Sequence, residues 1–309
     1  MKLAYITPST IPSMAANSIQ AMKVCQSLAQ VGVEVRLFAA ANPAKPCPQW
    51  EELAELYGLS QPFAIQWLPA SARWKRYDFA WKAVSAARAW GAQAIYTRLP
   101  QAALLSLWRG LPMVLELHDL PSGKIGPWIM RQILRHHGKK RLLFITRALQ
   151  TALEEHYQFP LAPEIALVVP DGVDLERYQN LPEPEEARRQ LGLPSGLTVM
   201  TSGHLYQGRG APLFLALAGR FPQVNFAWVG GRAEDVTAWQ SQAQTARLSN
   251  LRFTGFIPNA QMPLYQAAAD FLLMPYERSI SGSSGGNIAK IYSPLKMFEY
   301  MAAGRAIIS

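Results

Sequence analysis

Ser293-Pro294-Leu295-Lys296-Met297-Phe298-Glu299-Tyr300-Met301-Ala302-Ala303-Gly304 reads as one complete helix, and Ala306–Ser309 after it reads as a strand. Ser293 is a good N-cap. Pro294 fits the first helical position, where its missing N–H costs nothing, and Gly304 fits the left-handed position past the last turn. The preceding stretch, Ser279–Asn287, is rich in serine and glycine. A flexible loop feeding a helix N-terminus makes an anion site, because free backbone N–H groups and the helix dipole face the ligand. Lys296 adds a mobile positive charge. Glu299 lies three residues on, nearly on the same face, where a carboxylate can accept hydrogen bonds from two ribose hydroxyls. A capped surface helix with an ordinary Lys and Glu is the other reading of the same residues.

The alternation of short apolar runs and helical patterns extends back through the chain. Strands are expected at Leu3–Thr7, Glu34–Ala39, Ala94–Thr97, Met113–Leu117, Arg141–Thr146 and Ile165–Val169. Helices are expected at Ser18–Val31, Ala102–Trp108 and Arg147–Tyr157. Runs apolar on both faces, alternating with helices, imply a parallel sheet covered on both sides. Pro170-Asp171-Gly172-Val173-Asp174 then makes a turn, and the Pro-, Glu- and Arg-rich stretch Leu181–Pro194 follows. The rhythm restarts with strands at Leu197–Ser202, Val224–Val229, Leu251–Phe253, Phe271–Met274 and Ala306–Ser309. Helices at Ala211–Arg220, Asp235–Ala246, Asn259–Ala268 and Pro294–Ala303 fill the gaps. The reading is α/β, with two doubly wound parallel-sheet domains, 1–175 and 176–309, and a cleft expected at the carboxyl ends of their sheets. Such a domain normally continues for another strand and helix, so the second one is expected to be incomplete.

With 309 residues, 50% of them hydrophobic, the chain can bury two cores. The net charge of +9 favours anionic partners: phosphates, nucleic acid or an acidic membrane surface. Cys25 and Cys47 follow no metal-ligand spacing and give no disulfide framework, which points to a reducing cytoplasm. Cys25, in an apolar helical pattern, reads as a small buried hydrophobe. The apolar run after Lys2 is too short for a signal sequence, and no run reaches the roughly 20 residues needed to cross a bilayer. A chain of this kind meets a membrane only by lying on it.

SPLKMFEYMAAGRAIIS at Ser293–Ser309 closely resembles the signature of family 4 glycosyltransferases, which have the GT-B fold. Further stretches match in order: MKLAYITPS and MAANSIQAMKVCQSLAQVGVEVRLF, IYTR at Ile95–Arg98, LELHD at Leu115–Asp119, VVPDGVDLERY, TSGHLYQGRG, FAWVGG, and LRFTGFIPNAQMPLYQAAADFLLMPY. The resemblance spans nearly the whole chain. It implies two facing Rossmann-like domains, the first for the acceptor and the second for the donor. The implied reaction is that of a hexosyltransferase using a UDP- or GDP-linked sugar as co-substrate. The sugar would pass to a glycan or lipid-linked acceptor hydroxyl, with retention of configuration and without a metal or other cofactor. Polysaccharide biosynthesis is one such setting.

By that resemblance Glu299 matches the second acidic residue of the family's Glu-x7-Glu pattern, the one expected on the nucleotide ribose. The first acidic position falls on Ile291, which is not acidic, so the sugar-side contacts pass to Ser293 or to backbone amides near Leu295. Arg209, between Gly208 and Gly210, matches the basic residue expected on the donor diphosphate, a bidentate task that suits arginine. The family often carries a second basic residue after the strand glycine; here Gly203 is followed by His204, charged only part of the time near neutral pH. His118 matches the family's Glu-x-His segment and is expected to orient the sugar, with Glu116 as its structural partner and Asp119 as a second polar candidate. A structural histidine bonding a loop carbonyl is the plainer alternative. The loop after the first strand, where relatives carry Gly-Gly, has Ala15 and Ala16. Ser18 after them either donates to a phosphate oxygen or caps the helix. Arg209, Lys296 and His118 are thus the expected catalytic groups.

Two basic stretches lie in the first domain. Ser71–Trp90 interleaves Arg73, Lys75, Arg76, Lys82 and Arg88 with Trp74, Tyr77, Phe79, Trp81 and Trp90, and Arg131–Arg147 carries His136, His137, Lys139, Lys140 and Arg141. Basic residues beside Trp and Tyr suit an anionic membrane interface, which would place the protein on the inner face of the plasma membrane. An amphipathic helix packing its aromatics on the sheet explains the same pattern. A nucleotide-sugar epimerase of the same fold and a non-catalytic fragment are the competing functions. Nucleic acid is not expected as a partner, since no known module accompanies the basic residues.

Overall fold

A computed structural model describes residues 1–41, 46–71, 77–280 and 289–309. The chain forms two compact units, Met1–Pro170 with Lys290–Ser293, and Asp171–Ala289 with Pro294–Ser309. The return of Lys290–Ser293 to the first unit has no counterpart in the sequence reading.

The first unit runs β1 (Lys2–Thr10), α1 (Ala16–Gln30), β2 (Glu34–Ala41), α2 (Trp50–Tyr57), β3 (Ala64–Pro69), α3 (Tyr77–Ala89), β4 (Ala94–Thr97), α4 (Pro100–Trp108), β5 (Met113–Leu117), α5 (Gly126–Arg135), β6 (Lys140–Phe144), α6 (Arg147–Tyr157) and β7 (Ala166–Val168). Its seven strands are parallel, in the order β3-β2-β1-β4-β5-β6-β7. Leu3 pairs with Val35 on one side and Ala94 on the other, which pins β1 at the centre. Successive strand side chains point to opposite faces. Ala4 and Ile6 therefore join the core under α3 to α6, with Phe79, Ala102, Ile129 and Leu149. Tyr5 joins the core under α1 and α2, with Met22, Cys25, Leu53 and Tyr57. Strands buried on both faces are apolar throughout, which is why the sequence runs carry no alternation.

The second unit continues with α7 (Pro184–Leu191), β8 (Thr198–Ser202), α8 (Ala211–Arg220), β9 (Asn225–Val229), α9 (Ala233–Thr245), β10 (Leu251–Phe253), α10 (Met262–Ala267), β11 (Phe271–Leu273), α11 (Leu295–Ala302) and β12 (Ala306–Ile308). Its five parallel strands take the order β10-β9-β8-β11-β12. Met200, Ala227 and Leu272 pack on one face with Tyr300 of α11; Phe226, Trp228 and Leu273 pack on the other with Phe214 of α8. Phe214 sets its ring edge-on to Phe226 at 5.3 Å and to Trp228 at 5.4 Å, contacts that add about 1 kcal/mol each to the area buried.

In each sheet the strand order reverses once, between β1 and β4 and between β8 and β11. A doubly wound sheet opens a crevice at that point, and loops at the carboxyl ends of the flanking strands line it. The expectation of an α/β chain with two doubly wound parallel-sheet domains is met, with seven strands in the first sheet and five in the second.

Two helix starts differ from expectation. α1 begins at Ala16, with Ala15 as N-cap, so Ser18 lies within the helix rather than capping it. α11 begins at Leu295 with Pro294 as its N-cap, φ −79° and ψ 109°. Proline's fixed φ suits either position, and here ψ is extended, so Ser293 lies outside the helix. Gly304, with φ 65°, takes the left-handed position after the last turn.

Candidate functional site

In the second unit the loops after β8 and β11 flank the strand-order reversal. β8 ends at Ser202 and the chain turns through Gly203, whose φ of 118° only glycine adopts readily. Trp228 Nε1 donates to the Gly203 carbonyl at 2.9 Å, and Gly203 N–H donates to Val229 O at 2.8 Å. A Cβ at Gly203 would stand 3.6 Å from Lys296 Nζ, so the bare backbone there keeps that amine's surroundings open. Farther along, Gly210 at φ 82° is the N-cap of α8, and a Cβ on it would overlap the Pro275 carbonyl. The Gly208-Arg209-Gly210 turn is thereby laid against the segment after β11.

Tyr276, in that segment, organises the basic residues. The Arg209 guanidinium lies 5.2 Å from its ring centroid and Lys296 Nζ 5.0 Å from it. Arg209 also donates to the Tyr276 hydroxyl at 3.2 Å. Lys296 is half-buried on the first turn of α11, one turn before Tyr300. Tyr300 is buried, and its hydroxyl accepts from Ser202 N–H at 2.8 Å, which ties α11 to the end of β8. Burial, followed by the Tyr300–Ser202 hydrogen bonds that partly offset it, leaves that hydroxyl at about 12. Burial first and repulsion from Arg209 second push the Lys296 ammonium down to about 7, against a smaller opposing pull from Glu299.

Glu299 accepts from Gln266 Nε2 at 3.1 Å, and Gln266, fully buried on α10, accepts from the Tyr178 hydroxyl at 2.9 Å. A buried amide satisfied on both sides holds the carboxylate in one orientation. His204 stacks on Tyr206 at 4.8 Å, and the Arg232 guanidinium covers the same Tyr206 ring at 5.4 Å.

In the first unit the polar centre is Glu116 on β5, buried to 6% exposure. It accepts from Gln20 Nε2 at 3.0 Å, from the Tyr96 hydroxyl and from His118 Nε2, and Arg98 Nε lies 4.0 Å away. Arg98 in turn donates to Gln20 Oε1 at 2.7 Å, closing the ring of contacts. Burial alone would raise the Glu116 pKa; hydrogen bonds and charge from His118, Arg98 and Tyr96 outweigh it and hold the carboxylate below its ordinary value. An ionised carboxylate only accepts, so His118 carries its proton on Nε2. Tyr5 stacks on Tyr96 at 5.0 Å and completes the packing on that face.

The structure thus brings together Gly203, Arg209, Gly210, Lys296 and Glu299 in one unit, and His118 with Glu116 in the other. Ser18 is fully buried, its hydroxyl 2.8 Å from Ala15 O and 2.9 Å from Ser13 O. It braces the loop after β1 rather than presenting a donor, and neither expected role fits it. Ser293, 8% exposed, belongs to the first unit, as does Ile291, whose side chain packs on the core and whose carbonyl accepts from Thr146 Oγ1 at 2.9 Å. Leu295 is the first residue of α11. Asp119 Oδ1 accepts from Leu120 N–H at 2.7 Å. Residues 281–287 of the serine- and glycine-rich loop lie outside the described residues, as do Arg73, Trp74, Lys75 and Arg76. Tyr276, Gln266, Gln20 and Arg98 were missed by sequence reasoning.

Cys25 and Cys47 are free thiols, the first buried and the second exposed. Among the described residues no helix is long and apolar enough to cross a membrane, and no group of three or more His, Cys, Asp or Glu residues stands ready to hold a metal ion.

Two doubly wound α/β units, the second with Arg209 and Lys296 gathered on Tyr276 beside its strand-order reversal, define the class of protein. Residues 18–177, just over half of the chain, match the profile of Glycosyltransferase Family 4, and the chain belongs to that family. It is a glycosyltransferase. It is 24% identical over 318 aligned residues to the 2-deoxystreptamine N-acetyl-D-glucosaminyltransferase of Streptomyces fradiae, covering 90% of this chain and 73% of that protein. It is 32% identical over 152 residues to the 2-deoxystreptamine glucosyltransferase of Streptomyces kanamyceticus, covering 44% of this chain and 38% of that one. Among solved structures, HepE from Anabaena in complex with UDP superimposes with a TM-score of 0.70 at 18% identity, covering 100% of this chain and 80% of that one. The sucrose-phosphate synthase of Thermosynechococcus elongatus gives 0.69 at 17% identity, covering 99% and 80%.

Proposed function

We propose that this glycosyltransferase takes its sugar from a nucleoside diphosphate-sugar, UDP- or GDP-linked. The sugar passes to the hydroxyl of a glycan or lipid-linked acceptor, with retention and without a metal. The observation that carries this reading is the pairing of Arg209 and Lys296 on the ring of Tyr276. As the bond from the sugar to the diphosphate breaks, negative charge grows on the leaving oxygen. Arg209 offers paired N–H donors to it, and Lys296 a compact charge. The α8 and α11 N-termini add partial positive charge. Fixed dipoles and charges that need no reorganisation stabilise the transition state more than the ground state.

Glu299, oriented by Gln266, accepts from the ribose hydroxyls. In the first unit Glu116 fixes the His118 ring, and His118 orients a sugar hydroxyl through its other nitrogen. The acceptor proton passes to the leaving phosphate oxygen. HepE has been solved with UDP and with UDP-glucose, which supports a UDP-linked donor. Both Streptomyces relatives are named for 2-deoxystreptamine, so small free acceptors belong in the same assay as glycans and lipid-linked sugars. Free thiols at Cys25 and Cys47 fit a reducing cytoplasm.

The test is turnover of a panel of UDP- and GDP-sugars, with and without acceptors and with EDTA, reading released nucleotide and product configuration by NMR. Acceptor-dependent, EDTA-resistant release with a retained anomer is expected. Arg209→Ala and Glu299→Ala should each reduce it to background; full turnover in both variants sinks the site. An altered sugar formed from donor alone marks an epimerase instead.

A further inference from the structure

We propose that the outer face of α3, α4 and α5 docks on an anionic phospholipid surface. Helix faces that cover a sheet bury their apolar side and present polar residues to water. This layer departs from that rule at three tryptophans: Trp81 is 55% exposed, Trp108 56% and Trp128 49%. They are linked rather than scattered. Trp108 and Trp128 meet edge-to-face at 6.5 Å. Arg109, next to Trp108, sets its guanidinium 5.6 Å from the Trp81 ring and donates to Ser85 at 2.6 Å. Ile125, 50% exposed, extends the apolar surface beside Trp128. The result is a continuous stripe across three neighbouring helices. A contiguous exposed apolar patch rimmed by polar groups marks an interaction surface.

The charge of this face selects the partner. Lys82, Arg88, Arg131 and Arg135 lie on α3 and α5, Lys124 and Arg109 flank α5 and α4, and Asp78 is the one acidic residue on the three helices. Indole rings prefer the boundary between headgroups and acyl chains, and basic residues beside them are attracted by anionic lipid. The aromatics divide in a way the sequence did not show. Phe79 is buried and Trp90 packs against the core, whereas Trp81 turns outward. Trp108 and Trp128 lie outside both basic stretches picked out in the sequence.

The test is sedimentation of the 309-residue chain with vesicles of phosphatidylcholine alone, or of phosphatidylcholine mixed with phosphatidylglycerol. Binding to the anionic vesicles only is expected, weakening as salt is added, with a blue shift of tryptophan emission. Each basic residue near such a surface is worth about fivefold in partitioning, so reversing Lys124, Arg131 and Arg135 together to Glu should lower binding roughly hundredfold or more. Trp108→Ser with Trp128→Ser should shrink the blue shift to what Trp81 alone supplies. All five side chains are exposed, and unchanged circular dichroism and melting will show that the variants fold. Equal binding to both vesicle types, no binding to either, or variants that bind like the parent overturns the proposal. So does self-association that the Trp108 and Trp128 changes abolish while vesicle binding is absent, since the stripe is then a contact between copies.

Discussion

Arg209 and Lys296 share one aromatic ring: their charged groups lie 5.2 and 5.0 Å from the Tyr276 centroid. Two cations so close repel each other, and the π-face of Tyr276 offsets part of that repulsion. Each cation–π contact is worth about 1 kcal/mol, up to about 2 when desolvated. Tyr276→Leu should therefore weaken UDP-glucose binding about ten- to a hundredfold, measured by calorimetry. Tyr276→Phe keeps the ring, loses the 3.2 Å bond from Arg209, and should cost about fivefold. Equal losses in both variants would show that the hydroxyl, not the ring, does the holding.

Lys296 gives donor binding a pH signature. Its folded pKa stands near 7, below its unfolded value of 10.5. Between those values the unfolded chain carries a proton that the folded one lacks, so the unfavourable contribution of this half-buried charge is complete below pH 7 and is relieved as pH rises. A bound diphosphate favours the charged form. UDP-glucose affinity should fall as pH climbs through 7, and binding near pH 8 should take up a proton, visible as buffer-dependent calorimetric heats. Lys296→Arg, charged throughout, should lose both effects.

Glu116 should leave its mark at acid pH. Its carboxyl is held below the ordinary value of 4.5, so the unfolded chain takes up that proton first as pH falls. Its stabilising contribution is full above about pH 4.5 and disappears as pH drops through the folded pKa. Melting temperature measured from pH 6 to 3 should fall steeply in the parent and less so in Glu116→Gln. At neutral pH Glu116→Gln should cost about 2 kcal/mol or more, since Arg98 loses its countercharge in a buried setting.

Gly210→Ala meets two obstacles, a φ of 82° and the Pro275 carbonyl in the path of its Cβ. The substitution should cost about 2 kcal/mol or more and lower the melting temperature by roughly 4 °C or more. An unchanged melt would show that the turn slides away from Pro275 freely.

The central strands and the helices next to them were legible because burial on both faces leaves short apolar runs that nothing else explains. Arg147–Tyr157 and Ala211–Arg220 match α6 and α8 to the residue, the first capped by Thr146, whose hydroxyl accepts from Leu149 N–H at 3.1 Å. β3 is absent from the sequence reading: Ala-Ile-Gln-Trp-Leu-Pro at a sheet edge is only partly buried and has no pure pattern. α5 is absent from the sequence reading too, although Ile129, Met130, Ile133 and Leu134 form a helical stripe. The charged site residues could be matched because they sit in short motifs. Their supports could not: Gln266 is 33 residues from Glu299, and Gln20 is 96 from Glu116. Ser18 misled because a serine near a helix start is a good cap in most settings, while here the loop turns it inward.

The strand order reverses once in each sheet, so the same architecture makes a crevice twice, yet the two are furnished oppositely. In the first, Arg98 and Glu116 face each other within a closed ring of hydrogen bonds, and charge is balanced before any ligand arrives. In the second, Arg209 and Lys296 lean on a neutral ring and Glu299 accepts from the amide of Gln266. On the proposed function the first would receive uncharged, hydroxyl-rich molecules and the second the anionic diphosphate. One winding scheme, used twice along a single chain, thus carries two polar clusters of different composition, and the difference resides in a handful of side chains rather than in the backbone.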